Sequence, residues 1–361
     1  MDSTTPILGL CADPGVPERV AASIADDLTG QLFRKTGLRW RVEVSEEALP
    51  LAPDGTIQLL EHAPRLLAEH GWESFVYLTD LPRYLDDHPV LLQVSTDARA
   101  ALISLPPLGA VRVAPRIREL LITLVGAASS AASPDAPAIE AAVSRVKVEQ
   151  RPSSDENDLM ITMLTGRFRA VRMLAGMLRS NRPGRLLPAM TGSFTVAVAS
   201  GAFGVFYGTL ASVADPLSSL RLLLVSVLVI GALTSWLIVS NNLWNREPQQ
   251  SDIWQTRLDN ISTIITVGVS VVLMYLILFA VMLALSLALI DAGYLRGELM
   301  HPIGLGDYID LAWLTASLGT LAGALGSNFD NEDAVRLATY SQRYHERREL
   351  FDTYEKTRTG Q

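Results

Sequence analysis

The sequence predicts two architectures in one chain: an α/β domain at the N-terminal end, followed by an all-α bundle of four transmembrane helices. Three observations lead there. Charged residues make up 19% of the 361 positions and apolar types 49%, against an ordinary charged share of about 25%. The shortage is uneven. Residues 1–128 carry 17 acidic and 11 basic side chains, the acidic balance of a soluble domain, whereas residues 188–326 hold long apolar runs with little charge. That pattern excludes a wholly soluble chain, a disordered one, and a nucleic-acid binder built on a basic surface.

In the leading domain, 1–128, the strand candidates are Ile7–Cys11, Trp40–Val44, Phe75–Thr79, Val90–Val94 and Ala101–Leu105. The last two flank Ser95–Asp97, which reads as a hairpin turn. Helices are expected over Glu18–Phe33, Ile57–Glu69 and Val111–Val125. Pro17 suits the first turn of its helix, where no N–H is needed. Strand and helix alternate, so a partly parallel sheet in two or three layers is expected. Residues 129–157 read as a linker with a short helix over Ala138–Gln150, between AASSAASPDAP and RPSSDEN.

Ligands of such sheets bind beyond the carboxyl ends of the strands. Two loops stand there, CADPGVP after the first strand and DLPRY after the third. They nominate Asp13, Gly15, Asp80 and Arg83 as a ligand-binding surface, although Asp, Gly and Pro are also ordinary turn formers.

Residues 158–187 contain the basic stretch GRFRAVRMLAGMLRSNRPGRLL, with Arg167, Arg169, Arg172, Arg179, Arg182 and Arg185 and no acid. Phe168, Val171, Leu174 and Leu178 recur at helical spacing. This predicts an amphipathic juxtamembrane helix whose arginines meet anionic lipid headgroups.

A helix needs about 20 apolar residues to cross a hydrocarbon core of about 30 Å. Residues 188–213, 217–243, 261–290 and 305–326 qualify. The arginines before the first span and after the fourth, including those of a charged helical tail over 327–361, outnumber those of the opposite loops. By the positive-inside rule both termini face the cytoplasm. No basic n-region or long apolar h-region opens the chain, so no signal peptide is expected. Small residues let membrane helices approach closely. Gly204 and Gly208 on the first span, with Gly319 and Gly323 on the fourth, are the packing candidates, within one protomer or between protomers of a homo-oligomer.

The loop MHPIGLGDYIDLAW precedes the fourth span. Asp307 is expected to cap that helix, with Asp310 completing a capping box. The functional alternative is an outward cation site from Asp215, Asp291, Asp307 and Asp310, with Arg221 neutralising one of them.

Catalytic motifs are missing. Cys11 is the sole cysteine, and the five histidines (His62, His70, His88, His301, His345) form no i,i+4 ligand pair. No HExxH, CxxC, GxSxG, Walker or GxGxxG pattern occurs in a supporting context. No catalytic residue, metal or cofactor is therefore expected.

GRFRAVRMLAGMLRSNRPGRLLP, NNLWNREP and HPIGLGDYIDLAWLTASLGTLAGALGSNFDNEDAVR together resemble an actinobacterial family of four-span integral membrane proteins. The resemblance covers most of the chain from Gly166 onward and implies a multi-pass protein of the bacterial plasma membrane. Some members are labelled 5,10-methylene-tetrahydrofolate dehydrogenase. That label would imply a Tyr-x-x-x-Lys pattern, and Lys35, Lys147 and Lys356 each lack the tyrosine.

The leading expectation is thus a non-enzymatic membrane protein. Its cytoplasmic domain binds an unidentified ligand or partner and couples that event to the helices. The alternatives are a small ion or solute transporter or channel subunit, and a membrane-tethered enzyme of unknown reaction using Asp13, Asp80 and Arg83.

Overall fold

A computed structural model describes residues 5–51, 57–128, 133–143, 146–153, 158–181, 188, 190–244 and 253–326. The expected tail 327–361, with Arg182 and Arg185, lies outside the described residues. Contacts divide the chain into two units, the first built mainly on Met1–Ser180 and the second on Asn181–Arg246 and Asn260–Ser341.

The first unit is a mixed sheet carrying helices on both faces. Its strands are β1 (Ile7–Ala12), β2 (Arg41–Glu46), β3 (Ser74–Thr79), β4 (Tyr84–Leu85), β5 (His88–Ser95), β6 (Ala100–Ser104), β7 (Lys147–Pro152) and β8 (Leu159–Thr165). They pair in the order β2-β1-β3-β6-β5-β8-β7, with β4 hairpinned to β5. The first four in that row are parallel and every later pairing is antiparallel. Alternation along the strands sorts the residues by face. Leu8, Leu10, Val76, Leu78 and Ile103 share a core with α1 (Val16–Thr36), α3 (Val113–Ala128) and α4 (Ala136–Val143). On the opposite face Leu60 of α2 (Leu59–His70) packs on Val90, Leu159, Ile161 and Met163. Gly9 is required there, because a Cβ would lie 2.2 Å from the Trp72 ring.

Two boundaries differ from expectation. The linker over 129–157 gives way to α4 and then to β7, an edge strand of alternating exposure. The basic segment 158–187 opens as the apolar strand β8, which lies between β5 and β7 and carries the sheet through Thr165. The helix α5 (Arg169–Asn181) begins only after it. Burial on both sides explains why β8 lacks polar alternation.

The second unit is helical, with α6 (Thr191–Phe206), α7 (Gly208–Ala214), α8 (Ser219–Ser240), α9 (Ile253–Leu289, which begins in the first unit), α10 (Ala292–Leu299) and α11 (Leu305–Gly326). Three of these are long and apolar enough to cross a membrane. The first expected span is not continuous. It breaks at Tyr207, whose backbone is extended, and α6 and α7 meet at 88°. If that bent pair counts as one span, the number is four. Leu220, Leu224, Val227 and Leu228 of α8 and Leu276 and Ile277 of α9 are large apolar side chains left exposed on two of these helices.

Inside, α6 and α11 touch backbone to backbone. A Cβ on Gly319 would stand 2.5 Å from the Ala197 carbonyl oxygen, and one on Gly323 would stand 2.9 Å from that of Ser193. A polar knot ties α8, α9 and α11: Tyr275 OH lies 2.8 Å from Ser226 Oγ and 2.9 Å from Ser317 Oγ, and Trp313 Nε1 donates to Ser226 at 2.6 Å.

Candidate functional site

The basic segment builds the most distinctive site of the first unit. Gly176 lets α5 lie against the 3-10 turn Pro106–Leu108, since a Cβ there would sit 2.1 Å from the Pro106 carbonyl oxygen. Met173 and Met177 are fully buried, while Phe168 and Val171 remain 64% exposed. The face that docks therefore differs from the expected stripe of Phe168, Val171, Leu174 and Leu178.

Docking divides the arginines. Arg172 Nε donates to the Pro107 carbonyl at 2.8 Å and its Nη2 to the Leu108 carbonyl at 3.1 Å. Arg116 of α3 donates to that same Leu108 carbonyl at 2.6 Å and to Val111 at 2.9 Å. Two guanidinium groups thus converge on one neutral oxygen. Burial, and then the Arg116 charge, push Arg172 down to about 10, which leaves it protonated at neutral pH. Arg179 is also lowered, by burial and then by Arg19. Arg167 stays exposed and stacks over Phe168, 4.7 Å from the ring centroid.

Arg116, Lys147, Arg167, Arg169 and Arg172 together line a groove of about 560 Å³, and no carboxylate lines it among the described residues. Its other walls, Thr165 apart, are glycine or apolar residues, among them Gly109, Val111, Leu164, Phe168 and Val171. Clustered guanidinium groups suit bidentate recognition of a phosphate-type anion. Arg116 and Lys147 were beyond sequence reasoning, because they come from α3 and β7, far away in the chain. No local signal marked them, since Glu119 follows Arg116 by three residues and Glu149 follows Lys147 by two.

The parallel pairing of Ala12 with Leu78 brings Asp13 beside Thr79 and puts Asp80 in the loop at the same end of the sheet. Asp13, Asp80 and Arg83 are all buried. Asp13 accepts from Tyr77 OH through one oxygen and from Thr79 Oγ1 at 2.6 Å through the other. Tyr77 OH also accepts from Leu49 N–H at 2.9 Å. Arg83 donates to Gln93. Gly15 adopts φ 103 ahead of α1, and its N–H meets the Glu18 carboxylate at 3.4 Å. These bonds latch strand ends together and leave the Asp13 oxygens engaged within the fold.

In the second unit Asp215 and Asp307 come together, with Asp310 near enough to feel both charges, while Asp291 serves elsewhere. Asp291 caps α10, accepting from Gly293 N–H at 2.8 Å and Tyr294 N–H at 3.3 Å. Asp307 accepts from Gly304 N–H at 2.7 Å. It therefore fills the third-residue role of a capping box with glycine at the cap, and Asp310 lies one turn further on. Arg221 is exposed in the first turn of α8. Of the packing glycines, Gly319 and Gly323 face α6, Gly204 faces Leu210 and Thr315, and Gly208 faces Tyr294 and Glu298.

Comparison of the chain with protein-family models, with curated proteins and with solved structures gives no match in any of the three.

Proposed function

We propose that the chain is a multi-pass, non-enzymatic protein of the bacterial plasma membrane, of the actinobacterial four-span kind its sequence resembles. Its α/β domain is a cytoplasmic binding module. The bent pair α6–α7 with α8, α9 and α11 provides four spans, and both termini face the cytoplasm. The observation that carries this reading is the groove lined by the five cations Arg116, Lys147, Arg167, Arg169 and Arg172. Exposed Phe168 and Val171 beside those cations pair apolar surface with positive charge, the combination an anionic phospholipid headgroup and its acyl boundary select.

The full chain carrying Val171→Cys, labelled with an environment-sensitive fluorophore, tests this in nanodiscs. Cys11 is fully buried and does not compete for label. Anionic lipid should shift the emission to the blue relative to zwitterionic lipid, and Arg167→Gln with Arg169→Gln should abolish the shift. Identical spectra in both lipids would remove the reading, and a shift produced by soluble phosphate esters alone would replace the lipid with a free ligand.

A second reading, a small carrier, is favoured by the 88° break between α6 and α7. Discontinuous spans are where transporters place their substrates. A pocket of about 290 Å³ lined by Ser200, Gly204, Tyr207, Thr209 and Thr315 lies at the break. Solute or ion flux in proteoliposomes that is lost in Thr315→Val would favour it.

A further inference from the structure

We infer that Asp215, His301 and Asp307 form a binding site for a divalent first-row transition-metal ion of the zinc or manganese kind. Asp215 closes α7, His301 lies between α10 and α11, and Asp307 stands in the first turn of α11. A small core of Ala211, Leu295, Tyr308 and Leu311 holds these three elements together. One donor atom from each of the three residues lies within 4.8 Å of the others.

What points to a cation is this convergence of three donors, with the imidazole turned to present Nε2 to it. His301 Nδ1 lies 2.9 Å from the Pro302 carbonyl oxygen, and a carbonyl only accepts, so Nδ1 carries the hydrogen. In neutral imidazole Nε2 is then bare, and it faces Asp215 Oδ1 at 2.9 Å. A ring proton there would join His301 to Asp215 alone, whereas Asp307 brings a third donor to the same point from another helix. A metal ion also engages Asp307, whose other partner, Gly304 N–H, leaves lone pairs available toward the site. Two ligands at about 2.1 Å from one ion stand about 3.0 Å apart at the right angle of an octahedral ion and about 3.4 Å apart at the tetrahedral angle of zinc, so the observed 2.9 Å lies nearer the former.

The outer partners match as well. Ligating histidines donate their second N–H to a carbonyl, and ligating carboxylates are themselves hydrogen-bonded. Here Pro302 and Gly304 of a single turn do both. An imidazole with carboxylates selects zinc or manganese rather than calcium or magnesium. His301 and Asp215 are 36% and 37% exposed, so an ion reaches them from solvent.

The test is calorimetric titration of Zn²⁺, and separately Mn²⁺, into the full-length tag-free protein in detergent after chelator treatment. One saturable site per chain is expected, together with a rise in Tm on adding metal. His301→Gln and Asp307→Asn should each weaken binding about tenfold or more, whereas Asp291→Asn should leave it unchanged. Wild-type protein showing neither saturable binding nor a metal-dependent Tm would overturn the assignment, and in that case a protonated His301 paired with Asp215 explains the contact. Equal affinity in wild type, His301→Gln and Asp307→Asn would overturn it too. Should either variant fail to fold, the wild-type titration and Tm shift still decide.

Discussion

Replacing Gly319 by alanine tests the reading of the α6–α11 contact most directly. The added methyl would stand 2.5 Å from the Ala197 carbonyl oxygen and 3.3 Å from the Gly201 nitrogen, where ordinary contact begins at 3.4 Å. The helices must therefore part by about 0.9 Å, a gap that forfeits a quarter to a half of each dispersion well it opens. Gly323 and Gly326 share the same seam, at 2.9 and 2.6 Å from the facing carbonyls, so the loss extends along it. Overpacking costs about 1–3 kcal/mol. The better helix propensity of alanine returns up to about 1 kcal/mol. A net loss of about 1–2 kcal/mol is expected. Denaturant titration of the full chain in mixed micelles, followed by tryptophan fluorescence, reads it. Gly231→Ala is the control, because nothing lies within 4 Å of the Cβ it would add. If Gly319→Ala proves as stable as Gly231→Ala, the seam is not close-packed and the argument fails.

Gly176→Ala should lift α5 from the Pro106 turn, 2.1 Å from the new methyl. Hydrogen exchange over 169–181 should speed up, and the lipid-dependent shift at position 171 should shrink. Tyr77→Phe removes a donor from the buried Asp13 carboxylate and an acceptor from Leu49 N–H. A cost of about 1.5–3 kcal/mol is expected, read as lost amide protection in β1 and β3. Burial, and then the Arg65 charge, hold His62 below its usual value, so the unfolded chain takes up a proton before the folded one does. The contribution of His62 is complete above about pH 6.5 and is lost as pH falls from there toward the lowered folded value. Tm should drop between pH 7.5 and 5.5 in wild type, and less in His62→Gln.

Much of the first unit was legible, because its strands are short apolar runs bounded by turn residues. The expected Ile7–Cys11 and Phe75–Thr79 differ by one residue from β1 and β3. What escaped has physical reasons. In β4–β5 the loop is Asp86-Asp87, both with positive φ, which fits a two-residue primed turn but lacks the Asn-Gly signal that usually marks one. β7 is polar because it is an edge, and β8 merged with the arginines that follow it. Asp13 and Asp80 were found from topology alone, yet their burial and the Tyr77 bond depended on tertiary packing.

The break at Tyr207 shows why one sequence feature can have two structural uses. Gly204 and Gly208 read as a packing stripe, four residues apart. In the fold, Gly204 makes room for Leu210 and Thr315, and Gly208 makes room for the Tyr294 hydroxyl, 2.8 Å from where a Cβ would be. The pair thus lets the chain turn rather than continue. Along a straight helix Asp215 would lie about 12 Å beyond Tyr207. The 88° bend instead redirects α7 so that Asp215 reaches His301 at 2.9 Å. The bend and the proposed cation site therefore stand together: the proposal requires that the first apolar segment is not one helix, and a substitution that straightened it would separate Asp215 from His301 without touching either.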